Sequence, residues 1–186
     1  MARFDIYIPY LTNFEGGYVN DPLDKGGETN MGITLNTYKG YCKIVGKPYL
    51  YEQFRNMDIS LRNEIIKKVF WDNCKADEIV NQSVAMAIVD WSINSGGVAI
   101  KEVQKLLKLH IDGIVGKMTL AAINGADQER LFKAIIGKYC HIPETFFSNI
   151  SFFSVVIYLA YHHFRHSTVF LFNFSWLVLP SQFFTN

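Results

Sequence analysis

A mainly α-helical fold with one small irregular hairpin is what this sequence predicts, and three observations carry the prediction. Apolar residues recur at helical spacing through most of the first ~140 residues. Residues 18–34 break that spacing with turn chemistry. The length of 186 residues suffices for one globular domain or two small lobes with a real core.

The first helix is expected where Phe4, Ile8, Leu11 and the Phe14–Glu15 pair share a face. Pro9 tolerates a first turn but not a helix interior, so the spacing predicts a start near Ile8. Gly16-Gly17 predicts the end. Asn20, Asp21-Pro22, Asp24 and Gly26-Gly27 then exclude a helix and predict a short hairpin up to about Thr34. Helical spacing returns over 60–72 through Leu61, Ile65, Ile66, Val69 and Phe70, over 82–95 through Val84, Ile88 and Trp91, and over 99–109 through Val103, Leu106 and Leu107. Asp112-Gly113 reads as a turn, not a metal loop, because one carboxylate is too few for calcium. Short helices are expected near 117–124 and 128–138.

Charge is nearly balanced, with 18 Lys+Arg against 17 Asp+Glu. No basic stripe for nucleic acid or anionic lipid is implied, and no nucleic-acid partner is expected. Cys42, Cys74 and Cys140 are odd in number and lack CxxC spacing, which predicts buried free thiols over a disulfide framework or a zinc knuckle. His162 and His166 have i, i+4 spacing but no HExxH pattern, so no metal site is expected. The N-terminal MARFDIYIPYLTNFEGG lacks the basic and apolar regions of a signal peptide, so a cytoplasmic product, released or exported by another factor, is expected.

Composition changes sharply after residue 141. From Ile142 to Asn186 the only Asp, Glu, Lys or Arg residues are Glu144 and Arg165, and ten residues are phenylalanine. The apolar runs 152–161 and 169–179 are each shorter than the ~20 residues of a spanning helix. Stable membrane insertion is therefore not expected. A membrane-seeking extension is one reading of this tail; the one we prefer is a shifted reading frame near Cys140, giving a segment never selected to pack.

The candidate chemistry lies in residues 14–34, FEGGYVNDPLDKGGETNMGIT. Glu15 stands at an expected helix end beside two glycines, Asp24 follows across the hairpin, and Thr29 comes shortly after. Glycoside hydrolysis needs a protonated acid for the leaving oxygen and a second polar group to hold water. Partial burial would keep Glu15 protonated while a wetter Asp24 stays ionised. Spacing alone favours a solvated helix-end acid with turn-capping Asp and Thr over a catalytic set.

The stretch EGGYVNDPLDKGGETNMGIT resembles the signature of glycoside hydrolase family 108, the N-acetylmuramidases of phages and bacteria. AIVDWSINSGG (87–97) and DGIVGKMTLAAIN (112–124) are similar to the family's C-terminal peptidoglycan-binding-type region, and the likeness runs in order over roughly 4–140. It implies a lysozyme-like α+β fold, mainly α, with a small β-hairpin beside the cleft. It also implies Glu15 as the catalytic glutamate of the Glu-Gly-Gly motif. A more distant likeness to phage-type lysozymes implies Asp24 and Thr29 as the groups that position an attacking water, with inversion. The Asp-to-Thr interval is one residue shorter here, and Asp21 competes with Asp24.

By the same resemblance Trp91, Asn94 and Ser95 would lie near the glycan cleft, with Trp91 and Asn94 as sugar contacts; a plain core role for Trp91 is the competing reading. The implied division is a catalytic lobe over 1–80, a helical region completing the fold over 81–140, and the atypical tail over 141–186. The implied enzyme is a monomeric endolysin-type muramidase that needs no cofactor and acts on peptidoglycan glycan strands. A wall-binding or secretion-associated protein without catalysis, or a lytic transglycosylase, are the alternatives.

Overall fold

The chain opens with α1 (Phe4–Leu11), four residues earlier than the position of Pro9 suggested, with the proline inside the helix. Pro9 removes one backbone donor and should disfavour the turn before it. Tertiary contacts outweigh that cost. Tyr7 and Leu11 are buried, and the rings of Phe4 and Tyr7 pack on Trp71 at 5.3 and 5.7 Å. Ahead of the helix, the Ala2 N–H donates to the Ile79 carbonyl (2.7 Å) and the Arg3 N–H to Gln82 Oε1 (2.7 Å). The first turn is thus held in place before the proline is reached.

This computed structural model describes residues 1–11, 17–20 and 27–140, without the side chain of Cys140. Glu15, Gly16, Asp21, Asp24 and the tail from 141, with His162, His166 and the frame-shift reading attached to it, lie outside the described residues.

Three two-residue strands follow α1: β1 (Tyr18–Val19), β2 (Thr29–Asn30) and β3 (Ile33–Thr34). They form an antiparallel sheet in the order β1-β2-β3, pairing Tyr18 with Asn30, Val19 with Thr29, Thr29 with Thr34 and Asn30 with Ile33. The expected hairpin is therefore present with a third strand. Between β2 and β3 the two turn residues, Met31 and Gly32, both have positive φ, 49° and 77°. That is the twist a two-residue hairpin favours, although glycine or asparagine more often occupies the first position.

Two helices come next that aliphatic spacing did not reveal. In α2 (Leu35–Val45) the buried face is Tyr38, Tyr41 and Cys42, aromatic rather than aliphatic. Thr34 caps its start by accepting from the Thr37 N–H, and Gly46, at φ 67°, ends it. The second, α3 (Tyr51–Arg55), has five residues, too few for a periodic signal. A helix that short is unstable alone and must be held by its surroundings.

The segment expected at 60–72 is α4 (Ile59–Ile66), capped by Asp58, running into a wider π turn over Lys67–Trp71. The Trp71 ring is fully buried, and its indole N–H reaches Asp77 Oδ1 at 2.6 Å. A 3₁₀ turn (Ala76–Glu78) leads to α5 (Gln82–Ser95), which Asn81 caps through the Ser83 and Val84 N–H groups. Seven residues of α5, including Val84, Ile88 and Trp91, are buried on several sides, as suits a helix enclosed by neighbours. It packs on α6 (Val98–Leu106) and α8 (Gln128–Cys140), with α7 (Lys117–Gly125) against α8.

Gln104 organises the turn between α6 and α7. Its Oε1 accepts from the Asp112 and Gly113 N–H groups, while its Nε2 faces Asp112 Oδ1 (2.7 Å), the Ile114 carbonyl (3.1 Å) and Thr119 Oγ1 (3.2 Å). Gly113 has φ 78°, and a Cβ there would come within 3.2 Å of Lys101 Cε. The Asp112-Gly113 turn is as expected.

Cys42 and Cys74 are buried free thiols. Among the described residues no helix is long and apolar enough to cross a membrane, and no group of three His, Cys, Asp or Glu could hold a metal ion. The described residues all fall within one compact unit. Mainly helical, with a small antiparallel sheet, the described chain has the expected lysozyme-like α+β architecture.

Candidate active site

Thr29 is the member of the Glu15–Asp24–Thr29 set that the structure describes, so its strand is the place to build from. Alternate residues of an extended segment face opposite sides. Asn30 is buried at 4 % exposure, and its amide donates to the carbonyls of Phe54 and Arg55 at 2.8 and 2.9 Å. Those are the last carbonyls of α3, which no residue within the helix can satisfy. Two positions back, the Glu28 carboxylate accepts from the Tyr51 hydroxyl (2.8 Å) at the start of α3 and from the Tyr18 hydroxyl (3.1 Å) on β1. Both ends of α3 are thereby tied to one side of β2, and half-buried Thr29 is left on the other.

The Tyr18 and Tyr51 hydroxyls are 3.1 Å apart, so three oxygens meet at Glu28. Hydrogen bonding to Tyr18 and then to Glu28 pushes the Tyr51 phenol well above its usual range. Tyr18 packs edge-on against Phe54 and carries the Arg55 guanidinium 4.8 Å from its ring centre. Such a cation over an aromatic face adds a modest attraction at an exposed site.

Arg62 of α4 supports the sheet from another side. It is only 3 % exposed, and its Nε donates to the Met31 carbonyl at 2.9 Å. Burial lowers its pKa, with the neighbouring Tyr7 phenol acting in the opposite sense. A buried guanidinium is expensive unless its donors find acceptors. Here one donor fastens the left-handed Met31 turn, where a side chain costs backbone energy. The turn keeps its unusual geometry because a charged group is bound to it.

At the end of α5, Trp91 is 6 % exposed and stacks on Tyr139 of α8, ring centres 5.7 Å apart. The exposed Asn94 donates through Nδ2 to the Asp90 carbonyl (2.9 Å) and to the Tyr139 hydroxyl (2.7 Å). Its amide nitrogen is thus committed to the protein, which leaves the carbonyl oxygen for a ligand. Ser95 hydrogen-bonds back to the Trp91 carbonyl (2.8 Å). One turn earlier, Asp90 Oδ1 accepts from the Tyr7 hydroxyl across 3.4 Å, joining α5 to α1. Burial, followed by the charge of Asp90, pushes the Tyr7 phenol well above its usual value.

Glu28, Asn30 and Arg62 were not among the expected site residues. Their signals are nonetheless present in the sequence. Glu28 and Asn30 flank Thr29 at strand spacing, and Arg62 is three and four residues from the buried Ile65 and Ile66. A charged residue on an apolar helix face points to a buried role.

Residues 8–96 match the family model described as Glycosyl hydrolase 108. The matched span contains Glu15, Asp21, Asp24, Thr29, Trp91 and Asn94, and the whole of the three-stranded sheet. Among solved structures, twelve chains are similar to this one. One is the structure of Brucella abortus SagA, with a TM-score of 0.63 and 27 % identity, covering 86 % of this chain and 92 % of that chain. None of the curated proteins matches it. Residues 8–96, which hold both the sheet and the Glu-Gly-Gly motif, are thus similar to the glycosyl hydrolase 108 family, a likeness that supports a glycoside hydrolase.

Proposed function

We propose that this protein is a glycoside hydrolase, an N-acetylmuramidase of the endolysin kind, cleaving the β-1,4 bond between N-acetylmuramic acid and N-acetylglucosamine in peptidoglycan. The observation that carries the reading is the family match over residues 8–96, within which the Glu-Gly-Gly motif falls on Glu15. Glu15 would protonate the leaving glycosidic oxygen. Asp24 and Thr29 would hold the attacking water on the opposite face of the sugar, giving inversion. Support for Thr29 comes from the way Glu28 and Asn30 occupy the α3 side of β2 and leave its hydroxyl on the other. Trp91 and Asn94 are proposed as glycan contacts, Asn94 through its carbonyl oxygen toward an acetamido N–H and Trp91 through whatever edge Tyr139 leaves open.

Digestion of purified peptidoglycan, with analysis of the released ends, tests the reading. A reducing-end muramic acid is the expected product. A 1,6-anhydro end would make the protein a lytic transglycosylase, and binding without release would make it a wall-binding protein. Glu15→Gln keeps the shape of the side chain but has no proton to donate, so activity should fall by at least about 100-fold. A folded Glu15→Gln protein that clears wall suspensions at the parental rate would remove Glu15 from the mechanism.

A further inference from the structure

Among the described residues around the sheet, Glu28 makes contacts beyond those a hairpin needs. Its backbone is already placed, because its carbonyl accepts from the Leu35 N–H at 2.9 Å where β3 passes into α2. Its side chain then makes a second attachment, accepting from Tyr51 of α3 at 2.8 Å and from Tyr18 of β1 at 3.1 Å. The two phenols supply two protons to three oxygens in mutual contact, so a carboxylate acceptor is what completes the group. Asn30 holds the same strand to the far end of α3, through the Phe54 and Arg55 carbonyls.

The geometry points to Glu28 as a positioning residue for Thr29, an inference that rests on the proposed muramidase reading. Two attachments, at Glu28 and at Asn30, fix the orientation of the strand against α3; one alone would let it pivot. Thr29 stands between them and faces away, so a pivot about Asn30 would swing its hydroxyl while the sheet pairing and α3 remain. Misplacement of a reacting or water-holding group by about 1 Å can cost on the order of 100-fold in rate. Loss of Glu28 is therefore expected to act on turnover rather than on glycan affinity.

The test measures kcat and KM on a soluble peptidoglycan glycan for the full chain and for Glu28→Ala, Glu28→Gln, Tyr51→Phe, Thr29→Ala and the Glu28→Ala/Thr29→Ala pair, each per folded molecule. Glu28→Ala should lower kcat by about 10-fold or more while KM changes by less than about 3-fold, the pattern of a lost transition-state alignment. Glu28→Gln, which keeps an acceptor for the phenols, should recover kcat to within about 3-fold of the parent, and Tyr51→Phe should fall between. Because Glu28 acts through Thr29, the double variant should be no slower than the slower single one. Parental kcat in Glu28→Ala, or multiplying effects in the double variant, would overturn the inference while leaving the Thr29 reading intact. Should Glu28→Ala not fold, Tyr51→Phe decides alone, and parental kcat there overturns it. A parental rate in Thr29→Ala would instead withdraw the Thr29 role, and the inference with it.

Discussion

Replacing Gln104 with leucine should destabilise the protein by about 2–4 kcal/mol, a large fraction of the stability of an ordinary domain. Gln104 is 1 % exposed, and Leu keeps most of its volume, so the change isolates its hydrogen bonds. The Asp112 and Gly113 N–H groups lose Oε1, but this turn lies at the surface and water can take over. Each such exchange costs about 0.5–1.5 kcal/mol. Thr119, at 5 % exposure, loses a donor that water reaches poorly, adding about 1 kcal/mol. It still contacts the Ile114 carbonyl at 3.3 Å, which keeps the loss below that of a full orphan. Urea unfolding should show a lower midpoint with an unchanged slope, the mark of an altered stability at constant exposed surface. The melting temperature should fall by about 5–15 °C. A loss below about 0.5 kcal/mol would mean that the turn is held by its own Asx geometry, Asp112 Oδ1 accepting from the Ile114 N–H at 2.8 Å, and not by Gln104.

Three further outcomes follow from the same structure. Met31→Asn should raise the melting temperature, with a gain of about 0.5–1 kcal/mol, because asparagine tolerates the left-handed turn better than methionine; a fall would show that packing of the methionine outweighs its backbone cost. Burial pushes the Cys74 thiol up to about 11, against the hydrogen bond to Ser92, from a usual value of 9.0. Since the folded value is the raised one, this stabilisation is complete below pH 9 and is lost as pH climbs through about 11, a change of about 2–3 kcal/mol. Urea midpoints at pH 8 and pH 10.5 should converge in Cys74→Ala relative to the parent, and identical pH slopes would refute the assignment. Asp24→Asn should slow wall lysis more than Asp21→Asn, because Asp24 has the spacing of the phage-type motif; the reverse order would transfer the second carboxylate's role to Asp21.

Much of the helical plan can be read from spacing. The segments at 82–95, 117–124 and 128–138 coincide with α5, α7 and α8 to within two residues, because each has aliphatic residues at intervals that one helix face collects. The turn chemistry of 18–34 likewise excluded a helix and led to the antiparallel sheet. Elements stabilised by contacts distant in sequence were not legible. Pro9 argued locally for a late start to α1, but Trp71, more than sixty residues away, offers Phe4 and Tyr7 a surface that local preference cannot include. The five residues of α3 have no periodicity to detect and persist because Glu28 and Asn30 bind both of their ends.

The division in the candidate site has the same cause. Which residues are chemically able to act, Glu15, Asp24 and Thr29 among them, is a property of side-chain type and motif, and both are one-dimensional. Which residues support Thr29 is a matter of proximity between β1, β2, α3 and α4, fixed only when those elements pack. Glu28 in the sequence is one more acid in a polar turn. In the fold it becomes the acceptor for two phenols 10 and 23 residues away, and Arg62 becomes the buried donor to a strained turn 31 residues before it. A sequence states what each side chain can donate or accept; burial and packing decide which of those capacities must be satisfied, and by whom.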